Sequence, residues 1–386
     1  MRGRQVSQGQ ANRMRPWHIA VGMLIGLALA AGVISMSGRA VATAADHGPI
    51  LSDCHGQIRT LAIQYTSQAR PVVGPVYRDF LRQLPDDVTV YAACPTQDDY
   101  RDLLECIGPV DCRMVPVTVG HEITAWSRDR FLSAGRGDSV TLLGPLGADG
   151  AENWPARAGD LRVPAELATL AGVDYQRGDL FFDGGDFVCD GRRAFVAPGV
   201  IARNIQHTVT DKAHLLRELE RIAGRPVVLL ENGPQHHAGM FMMAAQENVI
   251  VVGDPRAGQR WLEQQSQAGA PPVVCPPEGP DFSDQVVARF DAVADAAVAA
   301  GCRVVRVPIV PGRNGRTFVT YLNVIIDQRD GRRIVYMPTY RGLEGLNQVA
   351  AGVWQSLDCQ VCPVDCTDLY IHFGALRCLV NVVRRG

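Results

Sequence analysis

The stretch Phe181-Phe182-Asp183-Gly184-Gly185-Asp186-Phe187 places two carboxylates around two adjacent glycines, with aromatic residues on both sides. Adjacent glycines allow a backbone to turn sharply or to pass close to another group. Residues 192–197 (Arg-Arg-Ala-Phe-Val-Ala) predict a short strand, so we expect the motif at the mouth of a hairpin. Taken alone, the stretch also fits a solvated acidic turn, because Asp-Gly is a common hairpin signal.

Strands and helices alternate on both sides of this motif, from about residue 58 onward. The first half predicts strands at Ile58–Tyr65, Val88–Ala93 and Met114–Val119, and helices at Val76–Leu84 and Asp98–Cys106. Residues 144–176, rich in Gly, Ala and Pro, are predicted to be the loosest segment. The second half repeats the order strand, strand, helix. The first repeat has predicted strands at Met240–Ala245 and Val249–Val252 and a helix at Gln259–Gln267. The second has predicted strands at Thr317–Ile326 and Arg333–Met337 and a helix at Leu343–Ser356. Between these repeats, apolar residues at helical spacing predict a helix with Ser283 as its N-cap. Such repetition predicts one pseudo-symmetric α/β domain rather than two unrelated domains.

Three further motifs stand beside predicted strands. Trp126-Ser127-Arg128-Asp129 precedes an apolar pair, Gln235-His236-His237-Ala238-Gly239-Met240 leads into a strand, and Gly374-Ala375-Leu376-Arg377-Cys378 precedes the final strand. Each motif alone has a structural explanation: a salt bridge, a hydrogen-bonded histidine, and a buried cysteine. A histidine at the mouth of a strand can also act as a general base.

Taken in order, the motifs supply an Asp, an Asp-Gly-Gly-Asp, a His and a late Cys, and this order resembles the guanidino-group-modifying (pentein) superfamily. Its members include arginine deiminases, agmatine deiminases, dimethylarginine dimethylaminohydrolases and arginine amidinotransferases. The resemblance covers essentially all of residues 58–386. It implies an α/β propeller of five pseudo-symmetric strand-strand-helix-strand modules around a central channel, with no cofactor and no metal ion.

The resemblance also implies a role for each motif. Cys378 would be the nucleophile, His237 the general acid and base, and Asp183 the carboxylate that accompanies this histidine. Asp129 would grip the substrate guanidinium, which is planar, charged and forked and therefore suits paired hydrogen bonds to carboxylates. Further substrate-binding positions are Trp126, Arg128 and Asp186. The implied substrate is a small guanidino or amidino compound or an arginine side chain.

The implied chemistry proceeds through a covalent thiouronium adduct on Cys378. Water as the acceptor would make the protein a deiminase or amidinohydrolase, and an amine would make it an amidinotransferase. Two positions depart from the family pattern: Gly239 stands where a second guanidinium-binding Asp is usual, and Arg377 precedes the cysteine where His is frequent. A cation at Arg377 would repel a guanidinium. The alternatives are therefore a non-catalytic binding protein of the same fold and an unrelated thiol hydrolase that uses Cys378 and His237.

Composition and charge exclude some classes of protein. The chain has 386 residues, of which 47% are hydrophobic and 20% charged, and 38 basic against 40 acidic residues give a net charge of -2. This balance does not indicate a nucleic-acid-binding protein. Residues 1–16 are basic, residues 17–36 are apolar, and small residues follow, an order that predicts an export signal or a membrane anchor over residues 1–45. A buried core helix is the alternative. Residues 46–57 are predicted to be a linker, and the body is expected in the periplasm or outside the cell.

The chain has 11 cysteines. In an oxidising compartment most of them are expected to form disulfides, and an odd number leaves one thiol over, which we assign to Cys378. Cys359-x-x-Cys362-x-x-x-Cys366 could suggest a metal site. No histidine pair follows at zinc-finger spacing, so disulfides are the preferred interpretation.

Overall fold

The computed structural model describes residues 47–136, 139–148, 150–268 and 275–386. The predicted signal or anchor at residues 1–45 lies outside these residues, and His47–Gly386 forms one compact unit. The prediction of a transmembrane helix finds no support, because none of the described helices is both long enough and apolar enough to cross a membrane.

Strands of two to eight residues supply the framework of the described unit. They are β1 (Ile58–Gln64), β2 (Thr89–Cys94), β3 (Arg113–Thr118), β4 (Leu132–Arg136), β5 (Ser139–Gly144), β6 (Asp174–Arg177), β7 (Phe187–Cys189), β8 (Ala194–Val196), β9 (Val227–Leu229), β10 (Met242–Gln246), β11 (Val249–Asp254), β12 (Arg303–Pro308), β13 (Val310–Pro311), β14 (Phe318–Val319), β15 (Ile325–Arg329), β16 (Arg332–Thr339), β17 (Cys359–Asp365) and β18 (Val380–Arg385).

Five of the sheets in the described chain share one connection pattern. Their strand orders are β4-β5-β6, β7-β8-β9, β10-β11-β12, β15-β16-β17 and β18-β1-β2-β3. In each sheet the first two strands pair antiparallel, and the next strand returns parallel to the second after a helical crossover. Strands β13 and β14 form a separate antiparallel pair. Parallel strands need such crossovers, which explains the regular alternation in the sequence. The predicted α/β class is confirmed.

Helices fill the crossovers, and their ends follow local sequence signals. They are α1 (Arg70–Leu81), α2 (Gln97–Ile107), α3 (Pro155–Asp160), α4 (Val163–Ala171), α5 (Gly199–Asn204), α6 (Lys212–Ala223), α7 (Pro255–Gln267), α8 (Asp284–Ala299) and α9 (Glu344–Gln355). Helix α2 begins after Thr96, whose hydroxyl accepts a hydrogen bond from the Asp99 N–H at 3.1 Å. Helix α8 has the predicted N-cap, because the Ser283 hydroxyl accepts from the Val286 N–H.

Residues 144–176 are more ordered than predicted. Helices α3 and α4 lie in this segment, and each has a proline in its first turn. Proline is tolerated there because the first backbone N–H groups of a helix have no partner within the helix. The prediction rested on the Gly, Ala and Pro content of the segment, whereas two of its prolines begin helices.

The predicted disulfides are wrong. All 11 cysteines are free thiols, and no two of them lie near disulfide distance. Most are buried singly in the core, as free cysteine often is, and burial raises the pKa of Cys189 and Cys275 to about 12. The alternative metal site also fails, since Cys359 and Cys362 stand three apart on β17 and strand side chains alternate between faces. The free thiols give no support to the predicted export.

Residues 49–57, which fall in the predicted linker, pack along the body. We call this segment the strap. Its backbone forms hydrogen bonds to three elements: Leu51 N–H to Ser133 O of β4 at 2.8 Å, Asp53 N–H to Cys189 O of β7 at 2.8 Å, and Gln57 N–H to Gly386 O at 3.0 Å. The strap therefore ties together strands from separate sheets.

Candidate active site

Four short 3-10 turns carry the motifs singled out in the sequence. They are Ser127–Arg130, Gly184–Asp186, Ala238–Met240 and Leu376–Leu379. Each turn runs directly into, or within one residue of, the first strand of its sheet: β4, β7, β10 and β18. Neighbouring turns pack against one another. Equivalent positions in four repeated sheets thus bring together residues far apart in the chain.

These turns border a cavity of about 640 Å³. Six of the seven predicted site residues line it: Trp126, Asp129, Asp183, Asp186, His237 and Cys378. Other lining residues were not predicted, and they include Trp154, Arg157, Arg203, His236, Arg316 and Phe373. A thiol, an imidazole and three carboxylates therefore share one cavity with several arginines.

His237 lies between two of the carboxylates. Its Nδ1 is 3.8 Å from Asp129 Oδ1, and its Nε2 is 3.4 Å from Asp183 Oδ2, to which it can donate a hydrogen bond. Burial opposes protonation of the ring, but the charge of Asp129 and the hydrogen bonds with Asp183 and Cys378 prevail and raise the His237 pKa well above its usual value. The ring is therefore favoured in its protonated form, and it lines the same cavity as the Cys378 thiol.

The preceding histidine has the opposite character. Burial, together with the charges of His237 and Arg316, lowers the pKa of His236 to about 3. The His236 ring stands edge-on to the rings of His237 and Phe318, with centroids 5.2 and 5.6 Å away. Its Nδ1 accepts the His237 backbone N–H at 2.7 Å. His236 thus stays neutral and fixes the backbone that carries the charged histidine.

The two glycines of the opening motif are required by close packing. A Cβ on Gly184 would lie 2.2 Å from the carbonyl oxygen of Arg128, and a Cβ on Gly185 would lie 2.5 Å from His237 Nδ1. Such distances leave no room for a side chain. The double glycine therefore lets this turn approach both the Trp126-Ser127-Arg128-Asp129 turn and the imidazole.

Asp183 and Asp186 are held by Arg203. Its Nη1 donates to Asp183 Oδ2 at 3.0 Å, and its Nη2 forms an ion pair with Asp186. Burial would raise the Asp183 pKa, but the hydrogen bond to His237 and the charge of Arg130 hold it far below its usual range. Burial raises the Asp186 pKa in spite of Arg203. Asp183 is thus the permanently charged member of this pair.

Two arginines form hydrogen bonds with the Oδ2 atom of Asp129. Its Oδ2 accepts from Arg157 Nη1 at 3.1 Å and from Arg130 Nη2 at 3.2 Å. The Oδ1 atoms of Asp129 and Asp183 are buried and have no hydrogen-bond partner among the described residues. Each of these oxygens has an ionic contact instead: His237 Nδ1 lies 3.8 Å from Asp129 Oδ1, and Arg130 Nη2 lies 3.4 Å from Asp183 Oδ1.

Cys378 is presented by its own turn. Its backbone N–H donates to Asn323 Oδ1 at 3.2 Å, and its Sγ is 3.9 Å from Met240 Sδ. A Cβ on Gly374 would lie 2.5 Å from the ring of Trp126 and 3.2 Å from Cys378 Cβ, so only glycine lets the ring approach the cysteine. The thiol is largely buried yet faces the cavity.

Arg128, for which a substrate-binding role was predicted, does not line the cavity. Its guanidinium donates to Gly184 O at 3.1 Å and to Asn381 Oδ1 at 3.0 Å. Burial lowers the pKa of Arg128 to about 9. The Arg128 side chain therefore connects the Ser127–Arg130 turn to the Gly184–Asp186 turn on the side away from the cavity. Its neighbour Asp129 lies on the side that faces the cavity.

Arg377 also turns away from the cavity, so the expected repulsion of a guanidinium does not apply to this arrangement. Its Nη2 donates to Asp53 Oδ1 at 2.8 Å and to Phe187 O at 2.9 Å. A Cβ on Gly239 would lie 2.6 Å from Arg377 Nη1. The two departures from the family pattern therefore fit together, because the arginine occupies the space that a side chain at position 239 would need.

The spacing of Asp129, Asp183 and His237 would allow a metal ion, since one ligand atom from each lies within 4.8 Å of the others. Arg130 contacts both carboxylates, and Arg157 and Arg203 each contact one. Their charges oppose a divalent cation at this point.

Comparison with known proteins shows the fold. No protein-family model matches the chain, and no curated protein matches its sequence. Among solved structures, agmatine deiminase of C. jejuni is 15% identical, with a TM-score of 0.65 over 88% of this chain and 96% of its own. A substrate-bound variant of the C. jejuni enzyme is 14% identical, with a TM-score of 0.65 over 86% of this chain and 95% of its own. Agmatine deiminase of Enterococcus faecalis is 11% identical, with a TM-score of 0.68 over 90% of this chain and 98% of its own. The resemblance to the pentein superfamily is confirmed at the level of the fold.

Proposed function

We propose that this pentein-fold chain is a cysteine-dependent enzyme that cleaves a C–N bond of a guanidino or amidino group. The observation that carries the proposal is the convergence of Cys378, His237, Asp183 and Asp129 on one cavity. The protonated imidazole contacts both the thiol and a charged carboxylate. A thiol nucleophile, a proton donor and two acceptors for a guanidinium are the groups that this chemistry requires.

Substrate binding is assigned to the carboxylates. Asp129 and Asp183 line the cavity, and their carboxylates would accept N–H groups of a guanidinium. Charge-assisted hydrogen bonds of this kind contribute about 1.5–3 kcal/mol each. Trp126 lines the same cavity and offers an aromatic surface to the planar cation.

The reaction then proceeds in two stages. The Cys378 thiolate attacks the guanidinium carbon and forms a C–S bond, and His237 gives its proton to the departing nitrogen as the C–N bond breaks. The resulting thiouronium adduct is attacked by a water molecule, which loses a proton to His237. Collapse of this second tetrahedral species breaks the C–S bond, releases a ureido product and restores the thiolate. An amine in place of water would give amidine transfer.

The proposal also covers the arrangement of the sheets around the cavity. The five sheets with a common connection pattern would be the five modules of a propeller, with the cavity at the channel end where the four turns meet. Four of the five modules would then each contribute one of these turns.

A second candidate, a non-catalytic binding protein, is favoured by the arginines. Arg157 and Arg203 already occupy Asp129 Oδ2 and Asp183 Oδ2 at 3.1 and 3.0 Å. A ligand guanidinium has to share these carboxylates with internal cations, which weakens its binding. An anionic ligand would meet Arg157, Arg203 and Arg316 in the same cavity.

The test uses purified protein and a panel of guanidines that includes arginine, agmatine and methylated arginines. Ammonia, ureido product and amidine transfer to added amines are measured, with Cys378→Ser as the control. Acid quenching followed by peptide mass spectrometry locates any adduct. Turnover that depends on Cys378, with an adduct on that residue, supports the enzyme. Ligand binding without turnover or adduct supports the binding protein and refutes the enzyme.

A further inference from the structure

The strap brings a carboxylate to the back of the candidate active site. Asp53 Oδ2 accepts the Cys189 backbone N–H at 2.8 Å, and Asp53 Oδ1 accepts from Arg377 Nη2 at 2.8 Å. The side chain is only 15% exposed. Burial would raise the Asp53 pKa, but the charges of Arg377 and Arg128 lower it, so the group remains an anion.

Arg377, the partner of Asp53, contacts three of the four turns that border the cavity. It is the residue before Cys378, and its backbone N–H donates to Asn323 O at 3.1 Å. Its guanidinium donates to Phe187 O, at the end of the Asp-Gly-Gly-Asp turn, and packs on Gly239, two residues after His237. The position of this one side chain therefore affects the nucleophile, the acid/base and its carboxylate together.

Without Asp53 the Arg377 side chain would lose its only carboxylate within 4 Å among the described residues. The carboxylates of the site, Asp129 and Asp183, face the cavity. An arginine turned toward them would occupy the place of a guanidinium ligand and would shift the backbone that carries Cys378.

We propose that Asp53 is a positioning residue, which holds Arg377 behind Gly239 and thereby keeps the Cys378 turn in place and the Arg377 charge out of the cavity. The inference rests on the proposed function for its catalytic consequence only. The placement of the charge itself can be measured without turnover.

The first experiment compares two thiol reagents of similar size, one neutral and one with a quaternary ammonium group, on the full chain. Peptide mass spectrometry gives the modification rate at Cys378. The ratio of cationic to neutral rates in the unaltered protein is the reference. In Asp53→Asn the ratio of cationic to neutral rates is expected to fall by about 3- to 10-fold, because a released cation opposes the reagent.

A matched control is Asp327→Asn. Asp327 is also buried, accepts the Ile58 backbone N–H beside the strap, and pairs with Arg329 rather than Arg377. This variant is expected to lower the melting temperature without changing the reagent ratio. An equal change of the ratio in both variants, or no change in Asp53→Asn, would overturn the proposal, since the strap would then act only through stability.

The second experiment is a double-mutant cycle with Arg377→Met, read by kcat and KM for the best guanidine. Asp53→Asn alone is expected to lower kcat/KM by about 10- to 100-fold, the range for loss of a charge-assisted hydrogen bond. In the Arg377→Met background the same change should have little further effect on kcat/KM. Additive losses would overturn a role exerted through Arg377. If no guanidine is turned over by any form of the protein, the proposed function fails, while the reagent ratio still decides the role of Asp53.

Discussion

Gly239 provides the sharpest test of how this site is packed. A Cβ at this position would lie 2.6 Å from Arg377 Nη1 and 3.5 Å from Asn323 Nδ2. The first distance is about 0.8 Å short of the 3.4 Å at which ordinary contact begins. Arg377 would have to move by that amount, and the movement would stretch its hydrogen bonds to Asp53 and Phe187.

Gly239→Ala is therefore expected to destabilise the protein. Overpacking a well-filled site costs about 1–3 kcal/mol. For a unit of this size that corresponds to a melting temperature lower by roughly 1–4 °C. The sign of the change in the free energy of unfolding is informative. Gly239 does not have a positive φ, and replacing a glycine with a negative φ by alanine otherwise stabilises a protein by about 0.4–1 kcal/mol.

The assay is thermal unfolding of Gly239→Ala with two comparisons. Gly352→Ala is the control, since Gly352 lies in α9 with no atom within 4 Å of its added Cβ, and a small rise in melting temperature is expected. The double variant with Arg377→Ala removes the obstructing side chain, so the two losses should not add. A melting temperature for Gly239→Ala at or above that of the unaltered protein would refute the reasoning.

The same geometry sets the expectation for Gly239→Asp. A carboxylate there would first meet the Arg377 guanidinium rather than a ligand in the cavity. We therefore expect no gain in affinity for an arginine-like ligand from this change alone. Tightening by tenfold or more in isothermal titration would contradict the placement of Arg377.

Three further outcomes are expected. Cys378→Ser should lower turnover of guanidines by about 10³-fold or more while ligand binding persists. Turnover at the original rate in a steady-state assay would show that Cys378 is not the nucleophile. Because the His237 pKa is raised in the folded state, its contribution to stability is complete below about pH 6.5 and declines as the pH rises through the raised value. Melting curves across pH should show this decline, and His237→Gln should abolish it; an unchanged pH profile would be the contrary result. Arg157→Gln should tighten guanidine binding about 5-fold, because Asp129 Oδ2 then loses a competing cation. The control Arg162→Gln, at an exposed arginine, should leave the affinity unchanged. Equal affinities of Arg157→Gln and the unaltered protein in calorimetry would show that Arg157 does not compete.

Much of the site could be predicted because the fold repeats. Asp129, Asp183, His237 and Cys378 each stand at the mouth of the first strand of a sheet, so their order along the chain carried information about their places in space. The double glycine could be recognised as a motif in the sequence. Only the structure shows why glycine is required there, because Gly185 packs against the imidazole of His237.

The missed residues reach the site through tertiary contacts. Arg157 and Arg203 lie on the short helices α3 and α5, and no local pattern indicates which carboxylate a long side chain will meet. Asp53 lies in a segment without periodicity, which the sequence therefore presented as a linker. The disulfide prediction failed for a different reason, since it rested on an assumed compartment and contained no geometry.

The pairing of β18 with β1 has a consequence for the timing of biosynthesis. Val380 lies opposite Ile63, so the strand after the Cys378 turn is held by one of the first strands of the described body. Closing so long a loop is slow, and it requires the final strand to have left the ribosome. A nascent chain therefore carries His237 and both carboxylates before its thiol can join them. We therefore expect the reactivity of Cys378 to arise only after β18 has paired with β1.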